Sequence, residues 1–183
     1  MSKQSLSVIV FLGLVAGGSG VAAAAEAPAR PFGLGLVVGE PTGLTAKLYL
    51  SQPFALQFGA GFIDHFNGQD GFHLNVDAIW HPAMVARGST FTMPFYIGVG
   101  GRLLDHSYDY FVNDVHYVDH DTHLGVRMPL GLLVDFSRVP LDLYFEVAFV
   151  VDLVYFDESY GPYHDAYRDR FDLNGGVGLR YYF

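Results

Sequence analysis

From His123 to Phe136 apolar and polar positions alternate without a break. Leu124, Val126, Met128, Leu130, Leu132, Val134 and Phe136 form one face, and His123, Gly125, Arg127, Pro129, Gly131, Leu133 and Asp135 the other. The next segment repeats the pattern, with Leu141, Leu143, Phe145, Val147, Phe149, Val151 and Leu153 set against Asp142, Tyr144, Glu146, Ala148, Val150 and Asp152. A period of two is the mark of a half-buried strand. Both runs exceed the five or six residues usual in sheets. They have the length that a tilted strand of about ten residues needs to cross a bilayer.

The same rule predicts strands near residues 32–40, 43–51, 54–63, 72–81, 94–104, 122–136, 140–154 and 171–183. Eight is an even number, which suits an all-β, eight-stranded antiparallel up-and-down transmembrane β-barrel. Closure matters because every backbone N–H and C=O in hydrocarbon must find a partner, and only a barrel leaves no open edge. With both termini periplasmic, Ser51-Gln52-Pro53 and Ser137-Arg138-Val139-Pro140 are short turns and 82–93 is a longer one. The opposite connections are the tight Glu40-Pro41-Thr42-Gly43 and the polar stretches Asp64–Gly71, Asp105–Asp121 and Tyr155–Arg170.

A soluble barrel would alternate too, so the chemistry of the polar face has to decide which side meets water. That face is rich in glycine (Gly33, Gly35, Gly59, Gly61, Gly98, Gly100, Gly125, Gly131, Gly176, Gly178) and poor in long charged chains, which suits a crowded lumen. Lys47, Arg102, Arg127 and Arg180 are assigned to the lumen together with Asp77, Asp142, Glu146, Asp152 and Asp172. Four cations against five anions call for a network of salt bridges and hydrogen bonds, because an unpaired charge there would be costly. A narrow ion or proton path is the alternative use of such a network. It weighs less, since a barrel of this size is filled by side chains.

Composition sharpens this picture. The chain has 183 residues, 51% of them apolar and 16% aromatic, yet only two lysines, Lys3 and Lys47. A water-facing exterior would carry a mixed charged surface. The absence of Cys excludes disulfide scaffolds and thiolate chemistry, and the net charge of -9 argues against nucleic-acid partners. Lys3, the apolar run Val8–Ala16 and the small residues Ala23-Ala24-Ala25 read as a cleavable signal peptide over residues 1–25, leaving the barrel as 26–183. An anchoring helix weighs less, because Gly17-Gly18-Ser19-Gly20 breaks the run and no stop-transfer cluster follows.

The last segment, Phe171-Asp-Leu-Asn-Gly-Gly-Val-Gly-Leu-Arg-Tyr-Tyr-Phe183, sets Val177, Leu179, Tyr181 and Phe183 on one face. It resembles the closing strand of bacterial outer-membrane barrels, and the resemblance implies that the terminal aromatic serves as a signal to the barrel assembly machinery. More widely, Gly33–Lys47, Pro94–Arg102, Gly125–Gly131, Pro140–Ala148 and Asp172–Phe183 resemble a family of small outer-membrane barrels of spirochaetes and proteobacteria with OmpA/OmpX-like architecture. The resemblance covers strands and misses the long loops. It implies an outer-membrane location in contact with lipid and lipopolysaccharide, and no cofactor; a monomer is expected.

Three groups of chemically capable residues lie at the outer rim. His106, His116, His120 and His123 are weak metal candidates, since their spacing matches no defined site and an Asp- and His-rich loop is the commoner outcome. Ser107 and Ser159, with His106, His123, Asp105 and Asp121 near the first, raise a lipid-modifying enzyme of the lipid A deacylase or acyltransferase kind, but no Gly-x-Ser-x-Gly elbow frames either serine. Loops 105–121 and 155–170 carry nine acids between them and nine aromatic residues, seven of them Tyr, a candidate surface for an extracellular protein ligand. The expected function is thus a non-enzymatic outer-membrane barrel with a structural or surface-interaction role.

Overall fold

The computed structural model describes residues 29–65, 69–112, 115–157 and 170–183. The expected signal segment and much of loop 155–170, Ser159 included, lie outside them. Eight strands follow in chain order: β1 (Phe32–Gly39), β2 (Thr42–Ser51), β3 (Phe54–His65), β4 (Gln69–Arg87), β5 (Phe91–Val112), β6 (Val115–Phe136), β7 (Leu141–Asp157) and β8 (Phe171–Tyr182). Each pairs antiparallel with the next. β8 returns to β1, with Tyr182 opposite Gly33 and Gly176 opposite Gly39, so the sheet closes as a barrel.

Closure divides the side chains into two sets. Outward stand Leu34, Leu36 and Val38 on β1, Leu74, Val76 and Trp80 on β4, and Phe145, Val147 and Phe149 on β7, all exposed. Inward stand Lys47, Asp77, Tyr96, Arg102, Arg127, Tyr144 and Arg180, all buried. This is a globular protein turned inside out: the apolar side chains cover the surface and the charged ones fill the core.

Glycines make room for that core. Tyr96 lies opposite Gly131, Tyr144 opposite Gly178 and Tyr182 opposite Gly33. In each pair the tyrosine ring lies over the glycine, where a Cβ would collide with ring carbons. The outward Gly175 is different, since a Cβ there meets nothing nearer than Glu146 O at 3.7 Å. Gly131→Val is therefore expected to cost about 1–3 kcal/mol through overpacking, and Gly175→Val to stay within about 0.5 kcal/mol. Urea titrations of the refolded barrel compare the two.

Strand pairing runs into the expected connection Asp64–Gly71, with Asp64 opposite Asp70, and β7 continues to Asp157; two further boundaries differ more from the pattern-based expectation. The stretch 82–93 is not a long connection: β4 runs on to Arg87 and β5 begins at Phe91, leaving a short turn closed by Gly88 N–H to Phe91 O at 2.9 Å. Pro82 and Pro94 disguise the strands, but the register shifts between Trp80 and Ala83 and between Met84 and Ala86. Such bulges accommodate residues that cannot donate to the ladder. Likewise Asp105–Asp121 is no loop but a hairpin, with pairs running from Asp105 opposite Thr122 up to Val112 opposite Val115. A hairpin that projects beyond the apolar band has no face to bury, so it keeps strand hydrogen bonds without alternating in polarity.

Candidate functional site

The lumen holds three arginines stacked along the barrel, each tied to carboxylates from other strands. "Turn end" here denotes the rim with the β2–β3 turn, and "loop end" the opposite rim. Nearest the loop end, Arg102 on β5 donates through Nη2 to Asp152 Oδ2 at 2.7 Å, and through Nη1 to Asp172 and, at 3.3 Å, to Asn174 Oδ1. His123 Nδ1 stands 3.5 Å from the same Asp152 oxygen. In the middle, Arg127 on β6 bridges Asp77 and Glu146, reaching Glu146 Oε1 at 2.5 Å. Glu146 Oε2 also accepts from Gln57 Nε2 and Tyr96 OH, each at 2.6 Å, and Asn75 Nδ2 donates to Asp77 Oδ2 at 2.7 Å.

Toward the turn end, Arg180 on β8 donates from Nε to Asp142 Oδ1 at 3.0 Å and from Nη1 to Gln57 Oε1 at 2.8 Å. Its guanidinium lies 4.1 Å from the centre of the Tyr144 ring, and Tyr182 OH donates to Asp142 Oδ2 at 2.5 Å. Gln57 therefore joins the Arg127 and Arg180 clusters through the two ends of one amide. The void beside Thr45, Gln57, Asn75 and Glu146 is only about 20 Å³, room for about one water.

Lys47 departs from the expected pattern of carboxylate partners. Its ammonium is fully buried and donates to His81 Nε2 at 2.9 Å, 4.5 Å from the centre of the Tyr49 ring. An ammonium can only donate, so Nε2 accepts and the proton sits on Nδ1, which donates to Pro53 O at 2.8 Å. Arg102 and Arg127 each contact two carboxylates and Arg180 one, which accounts for all five assigned acids. Gln57, His73, Asn75, His81 and Asn174 also face the lumen, although attention to formal charge alone passes over them. Their signal was their place on the polar side of the alternation.

At the loop end the register sets His106 opposite Asp121, Ser107 opposite His120, Phe111 opposite His116 and Leu104 opposite His123. The side chains of His106, Ser107, His116 and His120 lie outside the described residues. Ser107 is also opposite Asp70 on its other side. Among the described residues no three His or acidic side chains gather as a metal site.

Val177, Leu179, Tyr181 and Phe183 all point outward and are exposed. Phe183 N–H donates to Phe32 O at 2.9 Å and its ring stacks on Phe32, with centroids 6.5 Å apart. Tyr181 meets the same ring edge-on at 5.1 Å. Together with the stacked pair Phe54 and Trp80, these rings mark the turn end of the wall.

A second aromatic level, Phe62 against Phe72, lies eight residues further along β3 and β4. Eight residues span about 27 Å of strand at ~3.4 Å per residue, or about 21 Å of height at a tilt of ~40°. Between the two levels the outward positions of β3 and β4 are Leu56, Phe58, Ala60, Leu74, Val76 and Ala78, with no charge among them. No family model matches the chain, and neither a curated protein nor a solved structure does.

Proposed function

We propose that this chain is an integral outer-membrane β-barrel of OmpA/OmpX-like architecture, exported by residues 1–25 and acting as a structural or surface-interaction protein. The observation that carries this reading is the uncharged outward band between two aromatic levels, whose height is close to the ~25 Å apolar band of outer-membrane barrels. Aromatic girdles favour the two interfaces of a bilayer, and lipid is the solvent in which such a wall is stable. The termini then face the periplasm, where Phe183 serves the assembly machinery. The acidic, Tyr-rich segments 105–121 and 155–170 face outward, beside lipopolysaccharide, as the surface for an extracellular ligand.

The barrel's only tryptophan, Trp80, is half exposed at the turn-end girdle and reports the test directly. Urea-unfolded protein diluted into phospholipid vesicles is expected to fold with a blue shift of Trp80 emission. Lipids brominated near the headgroup should quench that emission more than lipids brominated near the chain ends. Folding in buffer without lipid or detergent would sink the proposal.

A plug is favoured over an ion path, because the three arginine levels of the lumen are occupied by paired charges. No Gly-x-Ser-x-Gly elbow frames Ser107. Ser107→Ala is therefore expected to leave the mass spectrum of envelope lipid A unchanged in the producing cell. A new acyl-chain mass in that variant would restore the enzyme reading.

A further inference from the structure

The lumen filling stops short of the turn end and leaves an open cup. A cavity of about 440 Å³ is lined by Tyr49, Gln52, His81, Arg87, Thr92 and Asp135. A second of about 180 Å³ adds Arg30 and shares Tyr49, Gln52 and Asp135 with it. The two form one trough.

Its floor is chemically closed. Both His81 ring nitrogens are engaged, by Lys47 and by Pro53 O, so His81 offers only the face of its ring. The walls are not closed. Arg87, Thr92 and Asp135 stand on one rung, with Arg87 and Asp135 two strands apart. Two strand spacings are about 10 Å, and among the described residues Arg30, Arg87 and Asp135 form no ion pair with one another or with any other group. The cup thus presents Arg87 and Asp135 along its larger cavity and Arg30 and Asp135 along the smaller, with the Tyr49 ring lining both.

We infer that this cup is a binding site for a small zwitterion, an anionic group held by Arg87 with an ammonium held by Asp135 against Tyr49. Guanidinium forks suit phosphate or carboxylate oxygens, and an ammonium gains from both a carboxylate and the face of a tyrosine. A bare anion would meet Asp135, and a bare cation would meet the arginines. Only a molecule carrying both signs satisfies the whole wall. The inference rests on the shape and charge of the mouth and not on the membrane reading.

The test uses the full barrel refolded in detergent and phosphoethanolamine as probe, followed by NMR shifts of Trp80 and its neighbours. Inorganic phosphate and ethanolamine serve as half-ligands. Saturable phosphoethanolamine binding is expected, with each half-ligand at least tenfold weaker. Arg87→Gln and Asp135→Asn should each weaken binding roughly tenfold, the loss of one charge-assisted contact. Both positions are exposed, so the variants should keep the wild-type electrophoretic shift on heating, which separates a lost site from a lost fold.

The same probe measured in lipid nanodiscs distinguishes its two sources. Competition by phosphatidylethanolamine would assign the site to a lipid headgroup, and its absence to a soluble zwitterion; either supports a zwitterion site. Phosphate binding as tight as phosphoethanolamine, or binding untouched by both substitutions, overturns the inference.

Discussion

Replacing Arg127 by Met is expected to destabilise the barrel by about 3–5 kcal/mol, the cost of breaking a buried ion pair from one side. Arg127 is the only cation in direct contact with Asp77 and Glu146 among the described residues, and both carboxylates are buried on the lumen side. Without it, two negative charges remain in a space with room for about one water. The midpoint of urea unfolding in vesicles measures the loss.

A compensating variant separates charge from packing. Arg127→Met combined with Asp77→Asn and Glu146→Gln removes all three charges while keeping similar volumes, and should recover more than half of the lost stability. Hydrophobic or neutral replacement of a whole buried charge cluster is often close to neutral. Failure to recover would mean that Arg127 acts through its shape, not through its charge. The same variants report on the lumen as a plug: Arg127→Met is expected to raise ion leakage through planar bilayers above the wild-type level, because a loosened middle level admits water.

Val76→Arg is the second large effect, and it acts on the other face. Val76 points outward, 49% exposed, midway between Phe72 and Trp80 on β4. In a bilayer that position is the midplane, where arginine costs about 2–4 kcal/mol. On a barrel surrounded by water the same exposed substitution would cost within about 0.5 kcal/mol. Folding free energies of Val76→Arg and Val76→Thr in vesicles, compared by urea titration, distinguish the two surroundings. A negligible penalty for arginine would remove the membrane reading while leaving the barrel intact.

The strands that alternate strictly were legible in the sequence, and those that do not were not. On β6 and β7 each side chain has either lipid-like or lumen surroundings, so the residue at every position had to match one of them. Arg127, Asp142, Glu146 and Asp152 declare their side by parity alone. The β4–β5 connection hid its strands because prolines and bulges break parity there, and a one-residue shift sends the next side chain to the other face. The upper β5–β6 hairpin hid for the opposite reason. Beyond the apolar band neither face is selected for polarity, and composition resembled a loop while the backbone kept its ladder.

Glycine content on the polar face said that the lumen was crowded, but not which ring filled which gap. The pairs of Tyr96 with Gly131, Tyr144 with Gly178 and Tyr182 with Gly33 depend on register between strands distant in sequence. The charge partners have the same dependence. Arg102 meets Asp152 and Asp172 across fifty residues or more, and no local pattern selects those acids over Asp77 or Asp142.

The sequence by itself determined the number of strands, the face each side chain would take on the strictly alternating ones and the near balance of charge inside, because a period of two is a local property. Only the tertiary structure decided the pairings. It gave Lys47 a histidine and a tyrosine ring in place of a carboxylate, joined two arginine clusters through Gln57, and left Arg87 facing Asp135 across an open mouth. Those outcomes follow from closure, which fixes the stagger between all eight strands at once and brings together side chains that alternation can place on a face but not at a height.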